Sequence, residues 1–369
     1  MNSSKKIIFL CGARDFHAMD WYRSAKKKLG VEKVAVMADI ISAEGLNSLL
    51  QPDDELIRML ILDKWLFRTS SRIGNIWRNA LKLLVLPLQA RLLRKYYKEH
   101  SDTVYHAHGM YYMQLAAIAG VPYVGTPQGS ELLVRPFRSK WYRKFAINAL
   151  RGAKYVTVDS VNMQKVADNL SGVKPEIVQN GIDVKSIIEF LKEVGPQERN
   201  VWLSMRGFAP LYREMDILNG RNNSSAYKEK AITFVYPFYD GPYLEAAKSI
   251  MNENDVVSGC LQRKDLYSIM HRSEIIFSIP LSDSSPRSVY ESIFLGAVVV
   301  ITENNYVDIL PESMRKRIVI ADIKEDKWFD DAIVQAKSIA CEPFEITQEM
   351  IEMFDQECCF DRTYKLLTD

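Results

Sequence analysis

Short apolar runs rich in β-branched residues alternate along this chain with longer segments of helical periodicity. Runs of this kind are typical of strands in a parallel sheet, because the crossover helices cover both of its faces. In the first half the runs are Lys6–Gly12, Lys33–Asp39, Thr103–His106, Val121–Thr126 and Lys154–Ser160. In the second half they are Val201–Arg206, Ile232–Pro237, Asp255–Gly259, Glu274–Pro280, Ala297–Thr302 and Arg317–Asp322. The pattern predicts an α/β fold with two Rossmann-like halves.

The break between the halves contains one helical segment and a polar stretch with Gly195 and Pro196. Glycine and proline end regular elements, so we place the boundary near Gly195. The expected domains are 1–194 and 195–344, followed by a C-terminal helical segment over 345–369. A chain of 369 residues is long enough for two domains.

Composition excludes several classes of protein. The formal net charge of +2 gives no reason to expect a nucleic-acid partner. Five cysteines without paired spacing argue against a disulfide framework and a zinc site and favour a reducing cytosol. The first apolar run is too short for a signal peptide, and no stretch reaches the ~20 apolar residues that span a bilayer. We therefore expect a soluble, cytoplasmic protein.

The segment Leu56–His100 departs from the α/β pattern, since it is basic, aromatic and largely helical. An amphipathic helix of this composition can lie in an anionic membrane interface. The alternative is an ordinary helix that packs on a core and exposes a solvated basic face. The sequence leaves both interpretations open.

The segment Phe277–Thr302 predicts a strand, a loop, a helix and a second strand. Ser285 can cap that helix, Pro286 suits its first position, and Gly296 suits the residue past its end. Ligands of open parallel sheets bind at the carboxyl ends of the strands, where a helix N-terminus offers N–H groups to phosphate. This loop is therefore suited to a diphosphate.

Two carboxylates flank the predicted helix start. Asp283 precedes it, and Glu291 lies about six residues inside it, or ~9 Å along the axis. One can then contact sugar hydroxyls while the other reaches a ribose. Alternatively, Asp283 is a turn former and Glu291 a solvated helix residue.

The same segment resembles the donor-binding motif of the family-4 retaining glycosyltransferases of GT-B fold. The matching residues are Asp283, Ser284, Pro286, Glu291 and Gly296. The first acid is more often Glu in that family. Further segments follow the family's order: Val104–Leu133, Gly152–Ser160, Val178–Val184 and Asp240–Pro280. The resemblance implies two Rossmann-like domains facing a central cleft, with a C-terminal helix that crosses back to the first domain.

The resemblance implies a nucleoside-diphosphate sugar as donor, no metal and no other cofactor. Arg206 matches the residue that balances diphosphate charge, and the second basic position falls on Tyr212 or, with a one-residue shift, on Arg213. We take Arg213 as the candidate. The remaining expected donor-binding residues are Gly259, Leu261, Ser285, Arg287 and Ser288.

On the acceptor side, Gln128 stands where many family members have His. Gln cannot act as a general base but can hydrogen-bond a sugar. His106 and His108 end a strand; we expect them on opposite faces, with His108 in the cleft as a catalytic candidate. The expected acceptor-binding residues are Gly12, Arg14, Asp15, His17, Gln128, Gly129 and Ser130. Those after the first strand can also be solvated turn residues.

The implied reaction is transfer of a hexosyl group to a glycan or lipid-linked hydroxyl with retention of anomeric configuration. The expected setting is bacterial surface polysaccharide, lipopolysaccharide or glycolipid assembly, in the cytoplasm or peripherally on the inner face of the cell membrane. Two alternatives stay open: a non-catalytic nucleotide-sugar-binding partner, and a GT-B enzyme of different chemistry, such as an epimerase or an inverting transferase.

Overall fold

The computed structural model describes residues 5–12, 15–38, 51–59, 72–283 and 285–368. The chain divides into two compact units, Met1–Asn180 with Cys359–Asp369, and Gly181–Cys358. The division falls earlier than the boundary that we placed near Gly195. The reason is that the helix Val184–Val194 buries its apolar face in the core of the second unit.

The first unit contains a parallel sheet in which the described strands follow the order β3-β2-β1-β4-β5-β6-β7. The strands are β1 Lys6–Leu10, β2 Val34–Ala38, β3 Leu56–Arg58, β4 Thr103–His108, β5 Tyr123–Thr126, β6 Tyr155–Val158 and β7 Glu176–Ile177. The helices are α1 Phe16–Leu29, α2 Arg72–Glu99, α3 Met110–Ala119, α4 Gly129–Leu133, α5 Arg135–Arg138, α6 Lys140–Gly152 and α7 Val161–Ser171, with a 3-10 turn at Val31–Lys33.

Alternation along β1 sends its side chains into two layers of core. Ile8 packs with helix α3 on one face of the sheet, whereas Phe9 packs on the other face with Trp21 of α1. Phe360 from the C-terminal segment joins this second layer. The end of the chain is therefore part of the first unit, as the resemblance implied.

The second unit contains a parallel sheet whose described strands follow the order β10-β9-β8-β11-β12-β13. The strands are β8 Val201–Ser204, β9 Thr233–Val235, β10 Val256–Ser258, β11 Ser273–Ser278, β12 Val298–Ile301 and β13 Ile318–Ile320. The helices are α8 Val184–Val194, α9 Glu214–Asn223, α10 Gly241–Lys248, α11 Arg263–His271, α12 Arg287–Phe294, α13 Glu312–Arg315, α14 Trp328–Ala340 and α15 Gln348–Phe354, with a 3-10 turn at Asn305–Ile309. The last helix, α16 Gln356–Thr368, belongs to the first unit from Cys359 onward.

Both sheets have a topological switch point, where neighbouring strands send their connections in opposite directions. In the first unit β1 and β4 are neighbours, and in the second unit β8 and β11 are neighbours. Ligands of doubly wound sheets bind at the carboxyl ends of such strand pairs. The predicted α/β class is confirmed, and each unit offers one such position.

Candidate active site

The switch point of the second unit brings together residues that are far apart in the sequence. Arg206 follows the end of β8, Asp283 follows the end of β11, and α12 begins at Arg287. Because β8 and β11 are paired, the loops after them lie side by side. The candidate donor site is therefore formed within one unit by two loops and a helix start.

Arg206 is held from three directions. Its Nη2 donates to Asp283 Oδ2 at 2.7 Å, and its Nη1 donates to Ser288 Oγ at 3.0 Å. Its guanidinium also lies 5.0 Å from the ring centre of Tyr212. The side chains of Arg206 and Asp283 are each only 15% exposed, so this ion pair is shielded from bulk water. A fixed cation beside a helix start is suited to phosphate.

The helix start differs by one residue from the sequence prediction. Pro286, not Ser285, occupies the N-cap position, and its own side chain makes no capping hydrogen bond. The carbonyl of Pro286 accepts from the N–H groups of Val289 and Tyr290, which a residue without an N–H of its own can still do. Gly296 follows the helix end with φ of 87°, as predicted for a left-handed position.

Glu291 is buried on α12 instead of solvated. Its Oε1 accepts from Arg263 Nη2 at 3.3 Å and from Tyr267 OH at 3.5 Å. Burial raises the pKa of this carboxyl, and the charges of Arg263 and Arg287 act against that rise. A desolvated carboxylate beside two cations is a strong acceptor for hydroxyl groups.

The loop between β10 and α11 carries two further predicted donor residues. A side chain at Gly259 would meet no atom within 4 Å, so this position opens to solvent. Leu261 packs against the core cluster that contains Tyr267. The loop is followed at once by α11, whose first residue, Arg263, contacts Glu291.

The two candidates for the second basic position, Arg213 and Tyr212, have different surroundings. Arg213 adopts a left-handed conformation with φ of 60°, and its Nε lies 3.9 Å from Asp216 Oδ2. Tyr212, the alternative in the alignment, is the residue that contacts Arg206. Arg213 is therefore the N-cap residue of α9, and the aromatic ring of Tyr212 lies beside Arg206.

Glu214, the first residue of α9, was not singled out by the sequence. Its side chain is fully buried, and burial raises the pKa of its carboxyl to about 8. Ser204, the last residue of β8, donates to Glu214 Oε1 at 3.4 Å. An acid at a helix start looks like an ordinary favourable charge in the sequence, so no local signal distinguishes it.

In the first unit, two predicted acceptor residues meet. Gln128 Nε2 donates to Asp15 Oδ2 at 3.0 Å. Gly12 precedes this position and accepts from the Asp15 N–H through its carbonyl, at 2.9 Å. Gly129 begins α4, where Ser130 is exposed. These residues form a polar group at the carboxyl ends of β1 and β5.

Glu131 organises this polar group and was missed by the sequence analysis. Its Oε2 accepts from the backbone N–H of Gln128 at 3.2 Å and from that of Met110 at 2.7 Å. It thereby joins the start of α4 to the start of α3. Arg14 and Ser284 lie outside the described residues, as does the side chain of His17.

The expectation that His106 and His108 lie on opposite faces is wrong. Their ring centres are 4.1 Å apart, because residues two apart on a strand lie on the same face. Both are buried beside Phe9 and Trp21. Burial holds the pKa of His106 well below its usual range, so its ring is neutral and shares a hydrogen bond of 2.9 Å with Thr126.

Comparison with known proteins agrees with this architecture. Residues 61–186 match the family model described as Glycosyltransferase Family 4. HepE of Anabaena, in a structure with UDP, is 13% identical with a TM-score of 0.68, over 98% of this chain and 99% of that one. Sucrose-phosphate synthase of Thermosynechococcus elongatus is 10% identical with a TM-score of 0.69, over 98% of each chain. No curated protein sequence matches the chain.

An α,α-trehalose-phosphate synthase (UDP-forming) of Burkholderia vietnamiensis also shares the fold, at 12% identity and a TM-score of 0.66, over 99% of this chain and all of that one. These similarities extend over both units. The features define a protein of GT-B fold. Over residues 61–186 its sequence also resembles the family-4 glycosyltransferases, which confirms the expected resemblance to that family.

Proposed function

We propose that this protein is a glycosyltransferase that moves a hexosyl group from a nucleoside-diphosphate sugar to a hydroxyl acceptor with retention of anomeric configuration. The observation that carries the proposal is the switch point of the second unit. There a shielded Arg206–Asp283 pair adjoins the start of α12, and the buried Glu291 lies one turn further along that helix. This arrangement offers separate contacts for phosphate, sugar and ribose.

Each residue then has a distinct role. Arg206 balances the charge that grows on the diphosphate as the glycosidic bond breaks, assisted by Ser288 and the N–H groups at the start of α12. Asp283 accepts hydrogen bonds from hydroxyls of the transferred sugar, and Glu291 accepts them from the ribose. Fixed charges of this kind lower a barrier because they need no reorganisation when charge develops.

The acceptor is assigned to the first unit, where Gln128, Asp15 and the start of α4 present polar groups. Gln128 has no titratable group, so it would orient a sugar and not remove its proton. The acceptor hydroxyl would attack from the face that the diphosphate leaves, with the diphosphate itself receiving the proton. This mechanism needs no basic side chain at position 128.

We also propose cytoplasmic assembly of a surface polysaccharide or glycolipid, with α2 lying on an anionic membrane that holds a lipid-linked acceptor. Ile76, Leu84 and Leu88 on this helix are 64%, 73% and 49% exposed. They repeat at four- and eight-residue intervals, and Arg91 and Lys95 are exposed three and seven residues after Leu88, toward the C-terminal end of the helix. Apolar side chains bordered by cations favour an anionic interface.

No helix among the residues that the structure describes is long and apolar enough to cross a membrane. The membrane proposal therefore concerns surface binding, and sedimentation with vesicles tests it. We expect binding to anionic vesicles that weakens at high salt, and weaker binding for Leu84→Glu than for the parent. Equal sedimentation with neutral and anionic vesicles, or none with either, would contradict this part.

The reaction is tested with a panel of nucleotide sugars. HepE was crystallised with UDP and with UDP-glucose, so UDP sugars are tested first. A donor at about 100 times its Kd raises the free energy of unfolding by ~2.7 kcal/mol, which a thermal shift detects. The anomeric signal of the product, measured by NMR, then separates retention from inversion. Release of nucleotide with an epimerised sugar would support the rival chemistry, and binding without turnover would support a non-catalytic partner.

A further inference from the structure

Glu291 has to accept hydrogen bonds as an ionised carboxylate, although its buried position disfavours the ionised form. If it binds the ribose, as the proposed function requires, its carboxyl oxygens must act as hydrogen-bond acceptors, and only the ionised carboxylate offers acceptors alone. Yet the residue is 7% exposed. Burial of this kind favours the protonated form, which has lost part of its acceptor capacity.

Helix α11 supplies the group that counters this effect. Arg263, its first residue, places Nη2 3.3 Å from Glu291 Oε1. One turn later on the same helix, Tyr267 donates its hydroxyl to the same oxygen at 3.5 Å. The guanidinium of Arg263 also lies over the Tyr267 ring, 5.7 Å from its centre. Two donors from one helix thus hold one carboxylate oxygen, and the described contacts leave Oε2 for a ligand.

We infer that Arg263 is a positioning residue for nucleotide binding: it holds the Glu291 carboxylate in place, with one oxygen directed to the ribose. The inference rests on the proposed function, because it assigns Glu291 to the nucleotide. It adds a residue from α11 that belongs to neither the motif around α12 nor the loop after β8. Arg263 is itself about half exposed, so replacing it leaves the core intact.

The charges around Glu291 determine how replacing Arg263 should change nucleotide binding. Arg263 and Arg287 favour the ionised carboxylate, whereas burial, the largest influence, and Asp183 at the cap of α8 disfavour it. The phenol of Tyr267, whose own pKa burial raises, stays a neutral donor. Removing Arg263 should therefore raise the pKa of Glu291 further. The variant should bind nucleotide poorly where that carboxyl is protonated and recover at higher pH.

The test measures the Kd of UDP by calorimetry at pH 6.5 and pH 9 for the parent, Arg263→Gln, Glu291→Gln and the double variant. The variant-to-parent ratio at each pH cancels the titration of UDP itself. For Arg263→Gln we expect about a tenfold loss at pH 6.5 and less than about threefold at pH 9. In the Glu291→Gln background the same change should cost less than about twofold, because the two residues act as one unit.

Two variants control the comparison. Lys264→Gln removes a neighbouring cation that pairs with exposed Glu193 at 2.7 Å, and it should leave the Kd unchanged. Arg263→Lys keeps the charge and should stay within about threefold of the parent at both pH values. A loss for Arg263→Gln that is equal at both pH values, or undiminished in the double variant, overturns the inference. If Glu291→Gln itself binds UDP like the parent, the assignment of Glu291 under the proposed function fails instead.

Discussion

Replacing Arg206 or Asp283 separately should divide nucleotide binding from sugar transfer. In Arg206→Ala, the phosphate loses its cation and Asp283 loses the partner that its Oδ2 contacts at 2.7 Å. A hydrogen bond to a charged group is worth about 1.5–3 kcal/mol, so the Kd of UDP should rise roughly ten- to a hundredfold. Transfer should fall at least as much.

Asp283→Asn should behave differently, because Arg206 keeps its hydrogen bond to Ser288 at 3.0 Å and can still donate to the amide oxygen. We expect a Kd for UDP within a few-fold of the parent, with transfer reduced about tenfold or more, since free UDP carries no sugar for Asp283 to hold. Calorimetry and a transfer assay on folded variants give both quantities.

Arg213→Ala is the matched control. Its charge lies beside Asp216 at 3.9 Å in a partly exposed pair at the start of α9, whereas Arg206 contacts Asp283 and Ser288. The Kd of UDP should change less than about threefold. The reasoning is refuted if Arg213→Ala weakens UDP binding as much as Arg206→Ala, or if Asp283→Asn transfers sugar like the parent.

Two further predictions follow from buried polar groups, and a third concerns the exposed side chain of Gln128. Burial holds the pKa of His106 low in the folded state. Below the ordinary histidine pKa near 6.5, the unfolded state therefore binds more protons than the folded state. The free energy of unfolding should then fall as the pH drops from about 7 to 5. Urea unfolding should show a smaller loss for His106→Gln, whereas exposed His100→Gln should follow the parent. Burial raises the pKa of Glu214 from 4.5 to about 8, so the folded state binds an extra proton between those values and stability should fall as the pH rises through them. Glu214→Gln should therefore gain more stability over the parent at pH 8.5 than at pH 5. Gln128→Ala should lower turnover and leave the Kd of UDP nearly unchanged; a loss of UDP binding would contradict the assignment of this residue to the acceptor.

The sheets were predictable because strands of a parallel sheet carry their own signal. Both faces are covered, so each strand reads as a continuous apolar run, such as Val298–Ile301. Two strands escaped prediction: Leu56–Arg58 begins a basic segment with a helical pattern, and Glu176–Ile177 contains a single apolar residue. For the two histidines of β4, the alternation rule was correct but was applied wrongly. His106 and His108 are two residues apart, and residues two apart on a strand lie on the same face.

The donor motif was local as well, because a strand end, a helix start and two acids at a fixed separation occupy one stretch of chain. The sequence by itself therefore determined the α/β class, the resemblance and the candidates Asp283 and Glu291. Only the tertiary structure decided their partners. Arg206 lies 77 residues from Asp283, and Arg263 lies 28 residues from Glu291. Strand pairing and helix packing bring these groups together, and burial then sets their charge, which depends on neighbours that no local pattern encodes.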